Sequence, residues 1–403
     1  MRVIMIYLDF QSTTPLDDRV LRKMLPYFSK IYANPSSAHE FGRSTERDVE
    51  FARAQLAKAI GANAHEIIFT SGATESNHLV FHSLSDLLIS LKKTHIIVSA
   101  IEHKSILDLA KQFSKKGFSL SVLPVNRLGF VDPDTFKKSV SENTGLVSIM
   151  AANNEIGTIQ PIQEIAELCA KRDLIFHTDA AQALGRIPFD VSKTKCLFAS
   201  LASHKIYGPK GVGALYVRGN AAKMGLNPMF IGGSQENGMR SGTLNVPGII
   251  GFAEAASLSI NESAKDNKKA KSQIDRLLKT LIERVDGIAI NGDLENRLPN
   301  NLNLSFKGVD SDALITSLPD LALSNGSACS SRAMTVSHVL KAIGITDEEA
   351  RSSVRFGVGR TTTDEDIDVA AERIIEQVNR IRLRTETALE LCETSGGAFQ
   401  KSW

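Results

Sequence analysis

Short apolar runs alternate with amphipathic stretches between residues 66 and 217 of this 403-residue chain. The apolar runs, each of a length and composition typical of a buried strand, are EIIFT, HIIVSA, LSVLPV, LVSIMAA, LIFHTDA, LFASLA and VGALYV. Helical patterns lie between several of them, at 74–91, 104–116 and 161–172. Because strands that alternate with helices form parallel sheets covered on both faces, this pattern predicts an α/β domain with a mainly parallel seven-stranded sheet flanked by helices.

A second, smaller domain of the α+β class is predicted beyond about residue 260. Its patterns are a long charged helix at 247–285, strands at NLNLSF and SVRFGV, and further helices at 336–343 and 364–388. The first residues, MRVIMIYLDF, contain a short apolar run typical of a strand, which we expect to join this domain. We therefore place a large domain at 15–262 and a small domain at 1–14 and 263–403.

Composition excludes several classes of partner. The chain carries 47 Lys and Arg against 45 Asp and Glu and has no long basic block, so direct binding of nucleic acid is not expected. The apolar stretch at 244–260 contains Asn245, Pro247 and Glu254, which exclude a membrane span. The N-terminal apolar run is too short for a signal peptide. Four cysteines without a C-x-x-C pair predict no metal site and suit the reducing cytoplasm, where we expect the protein to work.

Three segments place polar groups at the ends of predicted strands, where doubly wound sheets bind ligands. In FTSGATESNHL, residues 69–79, a helix N-terminus and Thr74 could hold a phosphate, although a plain helix cap would look the same. In LIFHTDAAQALG, Asp179 could pair with a protonated ring nitrogen or cap the next helix. In LASHKIYGPKGVGALYV, Lys205 could form a Schiff base or be an ordinary exposed lysine.

The three segments together are more specific than any one of them. Pyridoxal phosphate needs a phosphate site, a carboxylate for its pyridine nitrogen and a lysine for its Schiff base, and the chain offers Thr74, Asp179 and Lys205 in that order. The sequence therefore predicts a site for this cofactor in the large domain.

Cys329 stands apart from the other cysteines. It lies in SNGSACSSRAM, residues 324–334, among small and polar residues rather than in an apolar run. Such a thiol is either a tolerated surface group or a nucleophile on a mobile loop. Cys169, in a helical pattern, and Cys196, beside a strand pattern, are expected to be structural.

Ten motifs in register give the chain a resemblance to a known family. They are YLDFQSTTP, NPSSAHEFGR, IIFTSGATESN, EHKSI, NNEIGTIQP, HTDAAQALG, HKIYGPKGVGALYV, GMRSGT, GSAC and SVRFGVGRTTT. From about Tyr7 to about residue 388 the chain resembles the cysteine desulfurases of the NifS/IscS type, which are class V aminotransferase-like enzymes of fold type I. The resemblance implies an enzyme that depends on pyridoxal 5'-phosphate, converts L-cysteine to L-alanine and keeps the sulfur as a persulfide.

The resemblance implies a role for each matching residue. Lys205 would bind the cofactor as a Schiff base, Cys329 would attack the substrate sulfur, and His103 would stack on the cofactor ring and move protons. The further contacts that it implies are Asp179 to the pyridine nitrogen, Gln182 to the ring oxygen, Asn154 to the ring, Thr74, His204 and Ser203 to the phosphate, Thr243 to the phosphate of the neighbouring subunit, and Arg355 with Asn34 to the substrate carboxylate.

The resemblance also implies a homodimer and a protein that accepts the sulfur. In the family's housekeeping members an iron–sulfur scaffold protein docks at a C-terminal pattern, which the tail ELCETSGGAFQKSW lacks. The usual scaffold is therefore less expected at this tail, and the acceptor is either an iron–sulfur scaffold protein or a specialised one, such as a tRNA- or DNA-thiolation protein.

The phosphate site departs from the family at one position. Where the family has the serine of S-x-H-K, this chain has Ala202 followed by Ser203. Because neighbouring side chains of a strand point to opposite faces, the hydroxyl is either missing or displaced. We expect weaker cofactor retention than in relatives, and a lower cofactor dissociation constant in Ala202→Ser.

Three other functions share these features. A selenocysteine lyase would use the same residues, and relative turnover of the two amino acids separates it from a desulfurase. Another fold type I enzyme, such as an aminotransferase, would not need Cys329. A sulfur-relay docking module would be active mainly in complex with its partner.

Overall fold

The computed structural model describes residues 5–219, 224, 226–325 and 336–394, and in this part of the chain two compact units form. The large unit contains Gln11–Asn267 and Gly292–Leu298. The small unit contains the described residues up to Phe10, Lys268–Asn291 and those from Pro299 onward. The domain boundaries predicted from the sequence, between residues 14 and 15 and between 262 and 263, differ slightly from the limits of these units and stay a prediction.

The strands, in chain order, are β1 Ile6–Tyr7, β2 Ile67–Thr70, β3 His95–Ser99, β4 Ser119–Leu123, β5 Thr144–Ser148, β6 Ile175–Asp179, β7 Phe198–Ala202, β8 Gly213–Val217, β9 Ile288–Ile290, β10 Asn301–Phe306, β11 Leu321–Ala322 and β12 Ser353–Gly357. The helices are α1 Asp18–Met24, α2 Pro26–Ser29, α3 Glu40–Ala59, α4 Ala73–Ser90, α5 Lys104–Lys115, α6 Pro133–Ser139, α7 Ile162–Ala170, α8 Val191–Thr194, α9 Val246–Arg284, α10 Ser311–Ser317, α11 His338–Ala342, α12 Asp347–Arg351 and α13 Asp364–Thr394.

The large unit contains one seven-stranded sheet in the order β2-β8-β7-β6-β5-β3-β4. Neighbours from β7 to β4 are parallel, and β8 runs antiparallel to both β7 and β2. Each of the seven apolar runs singled out in the sequence forms one of these strands. The predicted mainly parallel sheet is therefore confirmed.

Burial on both faces explains why these strands are continuous apolar runs. In β3, Ile97 packs into one hydrophobic cluster, whereas its neighbours Ile96 and Val98 pack into another. Side chains of a strand alternate between faces, so the two clusters lie on opposite faces of the sheet. Each of these isoleucines is at most 1% exposed, and complete burial of such a side chain contributes about 2–3 kcal/mol.

The small unit is an α+β arrangement, as predicted. Strands β12, β10 and β9 form an antiparallel sheet, and the N-terminal strand β1 pairs in parallel with β11. Leu8, Leu304, Phe356 and Ile374 belong to one buried cluster, which joins this sheet to α13 and to the first residues of the chain. The N-terminal strand thus belongs to the small unit of the structure.

Cys169 and Cys196 are fully buried in the large unit. Burial raises the pKa of each thiol to about 12, so both are inert and fill space in the core. Among the helices that the structure describes, we find none with a length and hydropathy sufficient to cross a membrane.

Candidate active site

The first turn of α4 forms the candidate phosphate site. Gly72 precedes the helix with φ +155° and ψ 176°, a conformation open essentially to glycine alone. A Cβ on Gly213, in the neighbouring β8, would come within 2.6 Å of the Gly72 Cα, so this close approach of the two backbones requires glycine at 213. No side chain of the described residues caps the helix. Its first N–H groups and the exposed hydroxyl of Thr74 can therefore serve an anion.

Asp179 ends β6, at the carboxyl edge of the sheet, and is 6% exposed. Its Oδ1 accepts a hydrogen bond of 3.0 Å from the Ala181 N–H, and its Oδ2 accepts one of 2.9 Å from Asn77 Nδ2. One fixed donor on each oxygen sets the plane of the carboxylate. A buried carboxylate in a fixed plane can accept a directed hydrogen bond from a cationic ring N–H.

His103 caps the N-terminus of α5 and is half-buried. Its Nδ1 accepts a hydrogen bond of 3.2 Å from the Ser105 N–H and lies 2.8 Å from Ser105 Oγ. Burial lowers the pKa of His103 below its ordinary 6.5; Lys205 and Lys104 lower it further, and Asp179 opposes them. The imidazole is therefore neutral near physiological pH.

Lys205 lies in the 3₁₀ turn that follows β7. Its Nζ donates hydrogen bonds to the carbonyl oxygens of Gln11, at 2.5 Å, and Ser12, at 2.8 Å. Gln182 Nε2 donates to the same Gln11 oxygen at 3.0 Å. The backbone at Gln11 thus connects the candidate Schiff-base lysine with the residue expected at the ring oxygen of the cofactor.

His204 precedes this lysine and is also held by the segment at 11–14. Its Nδ1 lies 3.1 Å from Thr13 Oγ1, and its carbonyl oxygen accepts hydrogen bonds from the Thr14 N–H and hydroxyl. Burial lowers the pKa of His204 to about 4, with Lys205 and Lys210 adding to the effect. A neutral imidazole with one ring nitrogen still available suits hydrogen bonding to a phosphate.

Ser203, the predicted substitute for the family serine, is completely buried. Its Oγ packs so closely against Gly208 that a Cβ there would lie 2.0 Å away. The hydroxyl finds no hydrogen-bond partner among the residues that the structure describes. Ala202, one residue earlier, is 5% exposed at the end of β7. A phosphate contact from Ser203 stays a prediction.

The other candidate residues lie further along the chain. Asn154 is half-buried in the turn between β5 and α7, and Thr243 and Asn34 are exposed in the loops before α9 and α3. Arg355 belongs to β12 of the small unit, where it is 2% exposed and its Nη2 lies 2.6 Å from Asp9 Oδ1. Cys329 lies outside the described residues.

A cavity of about 670 Å³ opens at the start of α4 and α5 and is lined by Thr74, His78, His103, Lys104, Ser105, Asp108, Leu109, Lys111, Gln112 and Lys115. Thr74 and His103 both line this cavity. Ser105, which also lines it, is connected with Asp179 through hydrogen bonds of Asn77. Hydrogen bonds through Ser105 and Asn77 connect His103 with Asp179, and the charge of Lys205 lowers the pKa of His103, which is consistent with a position of Lys205 near the same site.

These residues fit pyridoxal phosphate by the chemistry of their donors and acceptors. An uncapped helix start suits the phosphate, a buried carboxylate suits the ring nitrogen, and a lysine follows the next strand. Lys205, Asp179, Gln182, His103, His204 and Thr74 are the large-unit residues that would hold the cofactor. The chemistry that such a site supports is the stabilisation of negative charge on an amino-acid substrate.

Sequence reasoning missed three contributors to this site. Asn77 and Ser105 lie inside quoted motifs, IIFTSGATESN and EHKSI, but nothing in the pattern separated them from ordinary helix residues. The complete burial of Asn77, one turn into α4, is a property of the folded chain that the sequence does not reveal. The role of the Gln11 carbonyl had no sequence signal, because backbone groups carry none.

Comparison with known proteins gives a family and several relatives. The profile of the family described as aminotransferase class-V matches residues 6–369. Cysteine desulfurase IscS of Rickettsia typhi is 46% identical over 378 residues, which cover 94% of this chain and 92% of the relative. A solved NifS-like protein has a TM-score of 0.87 at 36% identity and covers 93% of this chain and 99% of its own. The structure of SspA in complex with cysteine has a TM-score of 0.78 at 34% identity, with 89% and 99% covered.

Proposed function

Because this chain belongs to the aminotransferase class-V family and is a cysteine desulfurase, we propose that its large unit holds pyridoxal phosphate through Lys205 and Asp179 and that Cys329 receives the sulfur of L-cysteine. One observation carries the proposal. Asp179 ends β6, and His103 and Lys205 lie in the turns after β3 and β7, so all three occupy the carboxyl edge of parallel strands, where hydrogen bonds through Asn77 and Ser105 connect Asp179 with His103.

The residues of the chain divide the work as follows. The bound cofactor supplies a sink for the electrons released when the substrate loses its α-proton. Lys205 takes that proton once its Nζ is free, and the carboxylate of Asp179 holds the charge on the ring nitrogen. His103 and Gln182 orient the ring, and Thr74 and His204 hold the phosphate.

Sulfur transfer is assigned to Cys329. Its thiolate attacks the substrate sulfur, the Cβ–S bond of the substrate breaks, and a new S–S bond forms on the enzyme. The electron pair stays with the carbon fragment, which takes up protons and leaves as alanine. The products are therefore one alanine and one persulfide for each cysteine, with no external oxidant or reductant.

Arg355 and Asn34 are proposed to bind the substrate carboxylate. The planar guanidinium of arginine suits a bidentate pair with a carboxylate. In the small unit its Nη2 is paired with Asp9 Oδ1 at 2.6 Å, which fixes the direction of the guanidinium. The proposed assembly is a homodimer that passes sulfur to an acceptor of an iron–sulfur or nucleic-acid thiolation pathway.

The experiment compares wild type with Cys329→Ser and measures alanine and sulfide released from L-cysteine in the presence of a thiol reductant. We expect equal amounts of both products from wild type and neither from the variant. Cys392→Ser serves as the control, because it removes another thiol of the chain and should leave the yield unchanged. Full activity in Cys329→Ser would remove Cys329 from the mechanism, and faster turnover of selenocysteine than of cysteine would favour a lyase.

A further inference from the structure

Four side chains of the large unit form an unbroken hydrogen-bonded chain. Asp179 Oδ2 lies 2.9 Å from Asn77 Nδ2, which lies 3.0 Å from Ser105 Oγ, which lies 2.8 Å from His103 Nδ1. The chain thus runs from the carboxylate expected at the cofactor nitrogen to the imidazole expected on the cofactor ring. Asn77 and Ser105, its two middle members, are not among the residues assigned to the cofactor or the substrate.

The chemistry of each group determines the direction of every hydrogen bond. Asp179 accepts at Oδ2, so Asn77 must present its NH₂ group rather than its carbonyl oxygen to it. The second hydrogen of that NH₂ group is then donated to Ser105 Oγ. Asn77 is completely buried, and its Oδ1 has no partner among the described residues, so this orientation is maintained by the two acceptors alone.

The other end of the chain fixes the tautomer of His103. The Ser105 N–H can only donate, and it points at Nδ1 at 3.2 Å, so Nδ1 carries no hydrogen. Ser105 Oγ already receives a hydrogen from Asn77 and can give its own to the same Nδ1. The neutral imidazole therefore carries its single hydrogen on Nε2.

We propose that Asn77 is a positioning residue: one hydrogen of its NH₂ group acts through Ser105 to hold His103 as the Nε2–H tautomer, and the other orients the Asp179 carboxylate. The inference rests on the proposed function for its role in catalysis. Its chemical consequence is that His103 enters the reaction able to donate a hydrogen bond or a proton at Nε2 and unable to accept one there. Proton abstraction from the substrate is thereby left to Lys205.

The test is ¹⁵N NMR of the protein labelled at histidine, as purified and with added pyridoxal phosphate. The chain has nine histidines, and the signal of His103 is identified by its loss in His103→Gln. We expect the shifts of an unprotonated Nδ1 and a protonated Nε2. In Asn77→Leu and Ser105→Ala the Nδ1 shift should move, because Nδ1 loses the hydroxyl donor or its orientation while the Ser105 N–H remains. In Asn77→Leu, which also removes the hydrogen bond to Asp179, the cofactor dissociation constant should rise roughly tenfold, the effect of about one charged hydrogen bond, and in Ser105→Ala it should rise less.

The double variant Asn77→Leu/Ser105→Ala tests whether the two residues act through one chain. We expect its cofactor dissociation constant to rise no more than that of the stronger single variant, because residues of one network are not additive. Ser83→Ala is the matched control, since it removes a buried hydroxyl of the same helix outside the chain and should leave the His103 shifts unchanged.

Three results would overturn the inference: a hydrogen on Nδ1 in wild type, unchanged His103 shifts in Asn77→Leu, or additive effects in the double variant. A merely structural role of Asn77 would lower the thermal midpoint without moving the shifts. If Asn77→Leu does not fold, Ser105→Ala and the wild-type tautomer still decide. Because the tautomer of His103 is measured without turnover, its outcome does not depend on whether the proposed desulfurase mechanism is correct.

Discussion

Glu102 is a buried acid beside the candidate active site. It is completely buried, and its Oε1 accepts hydrogen bonds from Ser99 Oγ at 2.6 Å and from the Met150 N–H at 2.7 Å. Glu102, which directly precedes His103, thereby connects the last residue of β3 with Met150, two residues after the end of β5. Burial, with a smaller effect of Asp179, raises the pKa of this carboxyl from its ordinary 4.5 to about 8. Glu102 is therefore protonated in the folded protein near neutral pH.

This shift predicts a pH-dependent stability with a definite sign. Between about pH 4.5 and 8 the folded protein holds a proton on Glu102 that the unfolded chain has lost, so stability falls as pH rises through this window. Glu102→Gln keeps the acceptor oxygen and removes the titration. Relative to wild type, the variant should gain up to about 1.4 kcal/mol per pH unit across the window, seen as a widening difference between the two thermal midpoints.

The control for this prediction is Glu46→Gln, which changes an exposed carboxyl of α3. Its thermal midpoint should follow that of wild type at every pH. A constant difference between Glu102→Gln and wild type from pH 5 to 8 would mean that Glu102 is ionised in the folded state.

At the scale of elements, the sequence predicts what neighbouring residues determine. Seven strands and the long helices α4, α9 and α13 follow from apolar runs and helical periodicity, both of which are local. The sequence predicts that the N-terminal strand joins the small domain, but it does not identify β11 as the partner of β1, because the two strands lie more than three hundred residues apart. Lys205 and Asp179 were identifiable because each follows a buried strand, whereas Asn77 acquires its role only from contacts made in the folded chain.

The edge strand β2 is predicted by the sequence, but the side chains that cover its free edge come from distant parts of the chain. Its outward groups are satisfied by side chains: Arg53 Nη1 donates to the Ile67 carbonyl at 2.8 Å, and the Phe69 N–H donates to Glu236 Oε2 at 2.7 Å. Arg53 and Glu236 also form a two-pronged ion pair at 2.7 and 2.8 Å. Glu236 adopts φ +49° in a 3₁₀ segment, a costly conformation for this residue that the ion pair stabilises. The pair covers the strand edge as another strand would.

Removing one partner of this ion pair should be strongly destabilising. Glu236→Ala leaves the buried Arg53 charge with only the exposed Glu50 as its ion-pair partner and should cost about 3 kcal/mol, measured as a lower midpoint of urea unfolding. Arg53→Met/Glu236→Leu removes both charges and should recover part of that loss. Asp368→Asn, which breaks an exposed pair with Arg276, should change the midpoint little. A double variant less stable than Glu236→Ala would show that the loss of the Arg53 contacts, rather than the buried charge left by Glu236→Ala, dominates.

At the scale of the whole molecule, the proposed homodimer depends on the loop before α9. Arg240 Nε lies 3.0 Å from Glu75 Oε1, so this loop is fastened to the first turn of α4, beside Thr74. Thr243, three residues further along, is exposed on the same loop. Its hydroxyl is therefore available to a second copy of the chain. The family resemblance assigns it to the phosphate of that copy, so each site of the proposed dimer would be completed by its partner.

Mixing two defective subunits tests this assignment. Thr243→Asp should place a carboxylate beside the partner's phosphate and weaken cofactor retention, and Lys205→Ala should abolish covalent binding. In a mixed dimer one site then combines an intact Lys205 with an intact Thr243. Co-expression should restore about a quarter of wild-type alanine production and bound cofactor, because half of the dimers are mixed and one site in each is complete.

The matched control is co-expression of Lys205→Ala with Asp179→Ala. Both residues belong to the site of their own chain, so no mixed dimer contains a complete site and no activity should return. Recovery of activity in this control would mean that Lys205 or Asp179, and not only Thr243, contributes to the site of the neighbouring subunit. Failure of the Thr243→Asp mixture to recover, with mixed dimers present by mass spectrometry, would place Thr243 outside the neighbouring site. Recovery confined to the Thr243→Asp mixture would make the dimer the smallest functional form of the enzyme, since neither variant alone contains the missing group.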